Sequence, residues 1–194
     1  MKLSTARLRG FTLIELMVTI AIAAILMVVA VPSLITYQRN SEMTSFANTL
    51  LASINAARGE AMKRGRYAMV VPADGVAWAS GWLVFVDIDG GTRTYSAASD
   101  ILVTTKEAPP SFLNVSGNGP AGEAAPYIMF DPSGYAAKKS TSPTGPNLTL
   151  TITRNDVSTS EAAEQTRFVV IAKTGRARVC KPSTDATCNS SALQ

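Results

Sequence analysis

Apolar and polar positions divide this chain into three successive patterns. From Phe11 to Val31 the residues are apolar or small almost without interruption, and the one charge among them is Glu15. That run, at 1.5 Å per residue, predicts a helix able to cross a hydrocarbon layer of about 30 Å. Pro32 comes directly after it, where a missing N–H and the ring predict a kink. From Leu34 the pattern turns amphipathic: Met43, Phe46, Leu50, Ile54, Ala57 and Ala61 recur every three or four residues, while Arg39, Glu42, Asn48 and Arg58 fall off that stripe. One helix to about Arg64 is expected, with Gly65 as its stop.

Beyond Gly65 the period shortens to β-rich runs separated by Gly, Pro, Asn and Ser. Strands are expected at Tyr67 to Val71, Trp82 to Val86, Ile101 to Lys106, Phe112 to Val115, Tyr127 to Phe130, Leu148 to Thr153, Arg167 to Ala172 and Arg176 to Cys180. A low-complexity insert, Lys138 to Pro146, reads as an exposed loop. A long helix across antiparallel strands of this length makes an α+β domain.

Charge then sets the orientation. Lys2, Arg7 and Arg9 precede the apolar run with no acid among them, so the positive-inside rule places the N-terminus in the cytoplasm and the β-rich part outside it. A carboxylate inside such a run costs about 2.5 to 3.5 kcal/mol on insertion scales, so Glu15 needs a partner. If the chain is cut after Gly10, the new α-amine of Phe11 lies within about one and a half helical turns of Glu15 and can serve, in the same chain or a neighbouring one. An ordinary secretory signal peptide, cut near Ala21-Ile22-Ala23, fits less well, because the apolar run is too long and holds a charge.

Gly10 followed by Phe11-Thr12-Leu13-Ile14-Glu15 resembles the leader junction of type IV pilins and pseudopilins. The resemblance implies cleavage after Gly10 by prepilin peptidase, N-methylation of Phe11, and assembly with other pilins into a filament in which Glu15 neutralises the amine of an adjacent subunit. Ala56 to Arg66, Gly81 to Gly90, Phe130 with Gly134, and Thr174 to Val179 extend it to the GspH/FimT branch of minor pilins. The implied plan is a type IV pilin fold: leader 1–10, transmembrane or filament-core helix half 11–31, amphipathic half 32–65, and a β-rich periplasmic domain 66–194. Many members carry a cysteine just after the first strand; here Val71-Pro72 stands there.

The formal charge of +4 falls to about +1 once the leader departs, so no overall basicity points to nucleic acid. From Gln165 onward, however, Arg167, Lys173, Arg176, Arg178 and Lys181 face Asp185 alone. Gly175-Arg176-Ala177-Arg178 resembles the Gly-Arg-x-Arg motif of DNA-binding FimT proteins. Strand geometry by itself puts Arg176 and Arg178 on one face, with Ala177 and Val179 turned inward. Lys173, Gly175, Arg176, Arg178 and Lys181 are the expected contacts for double-stranded DNA bound without sequence preference, the alternatives being a solvated polar strand face or a contact with a neighbouring pilin. As surface charges, Arg176 and Arg178 are expected to contribute little to stability. The resemblance implies a minor type IV pilin, with a role as DNA receptor in natural transformation; a minor pseudopilin of a type II secretion system is the alternative.

Other chemistries find little support. The chain has no histidine, and neither a Gly-x-Ser-x-Gly elbow nor a Ser-x-x-Lys pair occurs, so the sequence argues against an enzyme and implies no cofactor or metal. Asp87-Ile88-Asp89-Gly90 lacks the later ligands of a calcium loop and reads as a polar turn. Gly117 to Gly122 matches a dinucleotide fingerprint formally, but Pro120 and Pro126 deny it the following helix, so a flexible loop is expected. Cys180 and Cys188 read as a disulfide closing a short C-terminal loop in an oxidising compartment.

Overall fold

The structure, a computed structural model, describes residues 10–89, 94–138, 147–158 and 160–188. The first nine leader residues, with Lys2, Arg7 and Arg9, lie outside them, as do Gly90 and most of the insert from Lys138 to Pro146. The chain divides into two compact units, 1–41 and 42–194.

Helix α1 (Leu13–Arg64) begins in the first unit. Its described large apolar residues there are open: Leu13 is 76% exposed, Ile25 70% and Val28 75%. Among the described residues no single helix is long and apolar enough to cross a membrane. The pieces Leu13–Val28 and Ala30–Arg64, which meet at a bend of 41°, reach that condition together. Pro32 cannot donate to the carbonyl of Val28, four residues back, so the expected kink has a cause at the place where the bend lies.

The second unit holds the rest of α1 and, among the described residues, nine strands: β1 (Tyr67–Pro72), β2 (Trp82–Asp87), β3 (Ile101–Lys106), β4 (Leu113–Gly117), β5 (Ile128–Phe130), β6 (Ala136–Ala137), β7 (Leu148–Arg154), β8 (Thr166–Ile171) and β9 (Ala177–Cys180). They form two antiparallel sheets, ordered β3-β2-β1-β5-β6 and β4-β7-β8-β9. This is the expected α+β plan, with two corrections. The strands divide into two sheets, and there is an additional strand, the two-residue β6, which is too short for any sequence period to show.

The amphipathic stripe behaves as its spacing predicts. Met43, Leu50, Ile54, Ala57 and Ala61 are buried, joined by Ala47, with Phe46 packed beside them. They share one core with Val70, Trp82, Val84 and Val86 from the first sheet and Leu148, Leu150, Ile152, Val169 and Ile171 from the second. The helix stops where expected: Gly65 takes a positive φ of 63°, and the Arg66 N–H reaches back to the Ala61 carbonyl at 3.2 Å.

Two loop expectations need correction. Gly119–Gly122 is a 3-10 turn whose Pro120 and Ala121 are buried, not a flexible loop. Its glycines serve close backbone packing, since a Cβ on Gly117 would collide with the Ala121 carbonyl and one on Gly122 with that of Gly117. The buried Trp78 indole donates to the Ala121 carbonyl at 2.9 Å and fixes the turn. The Asp87 to Gly90 segment is only partly a turn: Asp87 ends β2 and is buried. Asp100 organises the connection from β2 to β3, accepting from the N–H groups of Ile88 and Ser96 at 3.3 and 2.8 Å.

Candidate functional sites at the N-terminus and the last strand

Thr12 and Glu15 close the N-terminal end of α1 on each other. The Glu15 N–H donates to the Thr12 hydroxyl at 3.2 Å, and the Thr12 N–H donates to Glu15 Oε2 at 3.3 Å. The Thr12 hydroxyl also donates to that oxygen at 3.3 Å. This reciprocal capping box gives two otherwise orphaned helix donors an acceptor, and the positive end of the helix dipole favours the carboxylate there. In the uncut chain Thr12 thus meets part of the need that the sequence assigned to an amine. Gly10 and Phe11 are exposed.

In the second unit two turns meet beside α1. The first, Asp131 to Tyr135, joins β5 to β6; Asp131 Oδ1 accepts the N–H groups of Ser133 and Tyr135 at 2.8 and 3.0 Å. The second, from Ala172 to Arg176, joins β8 to β9. Each turn has a glycine at positive φ, 79° at Gly134 and 80° at Gly175. A side chain on Gly175 would strike the Gly134 carbonyl, and one on Gly134 would strike Met62. Arg58 binds both turns, its Nε donating to the Gly134 carbonyl at 2.9 Å and Nη2 to that of Thr174 at 3.3 Å. The Ala136 N–H adds a bond to the Lys173 carbonyl at 3.0 Å. Arg58 falls off the apolar stripe in sequence, where it reads as solvent-facing; its role rests on carbonyls 76 and 116 residues away.

The alternation expected in β9 holds. Ala177 and Val179 pack on the main core, while Cys180 joins Cys188, Val170 and Phe168 in a small cluster on the other face. Cys180 and Cys188 are bonded, Cα to Cα 5.8 Å, so the loop from 181 to 187 folds back over that face.

This loop changes the account of the cations. Arg178 Nη1 lies 3.1 Å from Asp185 Oδ2, and Nη2 donates to the Thr187 carbonyl at 3.1 Å and to its hydroxyl at 3.3 Å. Asp185 in turn accepts the N–H and hydroxyl of Thr187, at 2.9 and 2.6 Å. Those Thr187 bonds, and the neighbouring Arg178 charge, hold its carboxyl below the usual range. Lys181 binds Glu164 at 2.6 Å, and the ammonium lowers the pKa of Glu164. Arg167 is buried, donating to the Thr166 carbonyl at 2.9 Å. The expectation that Arg178 is an inert surface charge is therefore corrected, because the disulfide loop brings Asp185 and Thr187 onto it. Lys173 and Arg176 are exposed and have no ion-pair partner among the described residues. Gly175 is buried in the turn contact and positions the motif.

Comparison with known proteins fits this geometry. Residues 47–183 match the family of type II transport protein GspH, and residues 6–31 match the prokaryotic N-terminal methylation motif. No curated protein matches the chain. Among solved structures, two crystal forms of the type IV minor pilin FimU of Pseudomonas aeruginosa are similar, each at 18% identity. One has a TM-score of 0.55, covering 76% of this chain and 94% of that one; the other has 0.51, with 72% and 94%. The minor pseudopilin EpsH of the type 2 secretion system of Vibrio cholerae shows 14% identity and a TM-score of 0.49, over 73% of this chain and 98% of that one.

Proposed function

Because the chain belongs to the GspH family of minor pilins and pseudopilins, we propose that it is a minor type IV pilin involved in pilus assembly or tip function. One helix carries two kinds of surface, and this observation supports the reading best. Its described large apolar residues from Leu13 to Val31 are exposed, as in a segment made for lipid and for the helices of other pilins. Its residues from Met43 onward bury one stripe in the core of the β-rich unit. Prepilin peptidase cuts after Gly10, Phe11 is methylated, and the subunit waits in the inner membrane with its N-terminus cytoplasmic and its head periplasmic. In the filament, Glu15 pairs with the amine of an adjacent subunit, leaving the capping box with Thr12, while Pro32 sets the bend of the packed helix. Glu15→Ala should therefore insert normally yet be missing from sheared filaments. Normal amounts of the variant in those filaments would refute the role. A minor pseudopilin shares this processing; restoration of pili, or of secretion, in a strain lacking the gene separates the two.

A second reading, DNA capture for transformation, is supported by Lys173 and Arg176, which are exposed and have no ion-pair partner among the described residues, beside the turn of Gly175. Arg178 and Lys181 would contribute only by giving up Asp185 and Glu164. Binding would be electrostatic, indifferent to sequence and weakened by salt. The full chain in detergent micelles should shift duplex DNA at low salt and less at high salt, with Arg176→Gln more harmful than Arg178→Gln. Absence of a shift, or one indifferent to salt and to Arg176, would leave the structural pilin alone.

A further inference from the structure

The contact of Gly134 with Gly175 does more than close the fold. It sets the backbone of the turn that carries Tyr135 against the turn that carries Lys173 and Arg176, two cations with no ion-pair partner among the described residues, although the turns join strands of different sheets. Tyr135 is 53% exposed. Its backbone is held on both sides: its N–H donates to Asp131 Oδ1 at 3.0 Å, and its carbonyl accepts the Asp131 N–H at 3.0 Å. The next residue, Ala136, is buried and bonded to the Lys173 carbonyl. Such a ring is presented rather than left over, since little backbone freedom remains to be lost when it is covered. Met62, 48% exposed, lies against Gly134 and extends the apolar surface.

The charged groups on the turns and on the last turns of α1 are engaged elsewhere. Asp131 is engaged by the backbone of its own turn, and Glu60, on the last turns of α1, is taken up by Lys63 and Arg64 at 3.1 and 2.6 Å. Arg58 is committed to the carbonyls of Gly134 and Thr174. What remains is one exposed aromatic ring on a residue whose backbone is held, with Lys173 and Arg176 on the adjoining turn. Two cations are few for gripping a duplex through its phosphates alone. An aromatic face beside cations is, however, the arrangement that holds single strands, because every base has a π-face to stack and every phosphate a charge to pair.

We propose that the paired turns, 131–135 and 172–176, form a surface for DNA with unpaired bases, on which Tyr135 stacks with a base while Lys173 and Arg176 hold the flanking phosphates. This rests on the DNA-capture reading of the same turns and narrows its substrate class to single strands and frayed ends. Tyr135 and Met62 come from elements remote from the Gly-Arg-x-Arg motif, so the surface is larger than the motif and partly apolar.

The test is fluorescence anisotropy of the full chain in detergent micelles with labelled oligothymidine and with a duplex of equal phosphate count, at two salt concentrations. The single strand should bind more tightly. Tyr135→Ala should weaken it about fivefold or more while barely changing the duplex, and Tyr135→Phe should retain it. Lys173→Gln with Arg176→Gln should weaken both. Circular dichroism melting should be the same for Tyr135→Ala and parent, separating lost stacking from lost fold. Equal affinity for both DNAs, an unaffected Tyr135→Ala, or a Phe variant as weak as the Ala variant would overturn the stacking proposal while salt-dependent binding through Arg176 survived. A parent chain that binds neither DNA would instead remove the DNA-capture reading itself.

Discussion

Gly175 and Gly134 lie backbone against backbone, 41 positions apart in sequence and in turns of different sheets, so closely that a Cβ on Gly175 would strike the Gly134 carbonyl. Gly175→Ala must therefore meet both a forbidden φ of 80° and the Gly134 carbonyl. The expected loss is about 2 to 4 kcal/mol, with movement of both turns. Thermal unfolding of the variant measures it. A melting temperature equal to that of the parent would mean that the turns are not locked together.

Arg176, which ends the turn before β9, and Arg178, within β9, should separate in a stability assay. Arg176→Gln removes a side chain with no partner among the described residues and should leave the melting temperature almost unchanged. Arg178→Gln strips Asp185 and Thr187 of their bonds and should lower it by roughly 2 °C. Equal melting of the two variants would show that the loop does not depend on Arg178.

The same loop should loosen in acid. Asp185 and Glu164 have folded pKa values below their ordinary ones, so each contributes stability that is present above the unfolded pKa and is lost as pH falls through the folded one. The window therefore lies below about pH 4. Amide hydrogen exchange over 181–188, corrected for the intrinsic effect of pH, should rise in that window. It should already be raised at neutral pH in Asp185→Asn, and a flat profile in the parent would contradict the linkage.

Loss of the crosslink should be felt on the outer face of the second sheet. The bond between Cys180 and Cys188 closes a loop of sequence separation 8, for which loop-closure entropy suggests about 2.5 kcal/mol. Cys188→Ser should lower stability by about that amount and expose Val170 and Phe168 to solvent, with binding of a hydrophobic dye as the readout. Non-reducing peptide mapping of the parent should recover the linked pair.

Whatever a local period or a covalent habit encodes is legible along the chain. The apolar run, the stripe from Met43 to Ala61, the stop at Gly65 and eight of the nine described strands come from side-chain spacing and backbone preference over a few residues. The pairing of Cys180 with Cys188 comes from their closeness and isolation. Alternation likewise turned Ala177 and Val179 onto the core, because the period of a strand is a property of the strand alone, whereas Arg176, expected to open the strand, ends the turn before it. What no spacing could show is which charges are already spent. Glu164 reaches Lys181 across 17 residues, and Arg58 reaches Thr174 across 116. Asp185 meets Arg178 only because the crosslink turns the chain back on itself. The sequence alone determined the elements and the faces of this protein. Tertiary structure decided which residues on those faces remain free to bind, because pairing depends on distance in space, and distance in space is set by how two sheets and a helix pack.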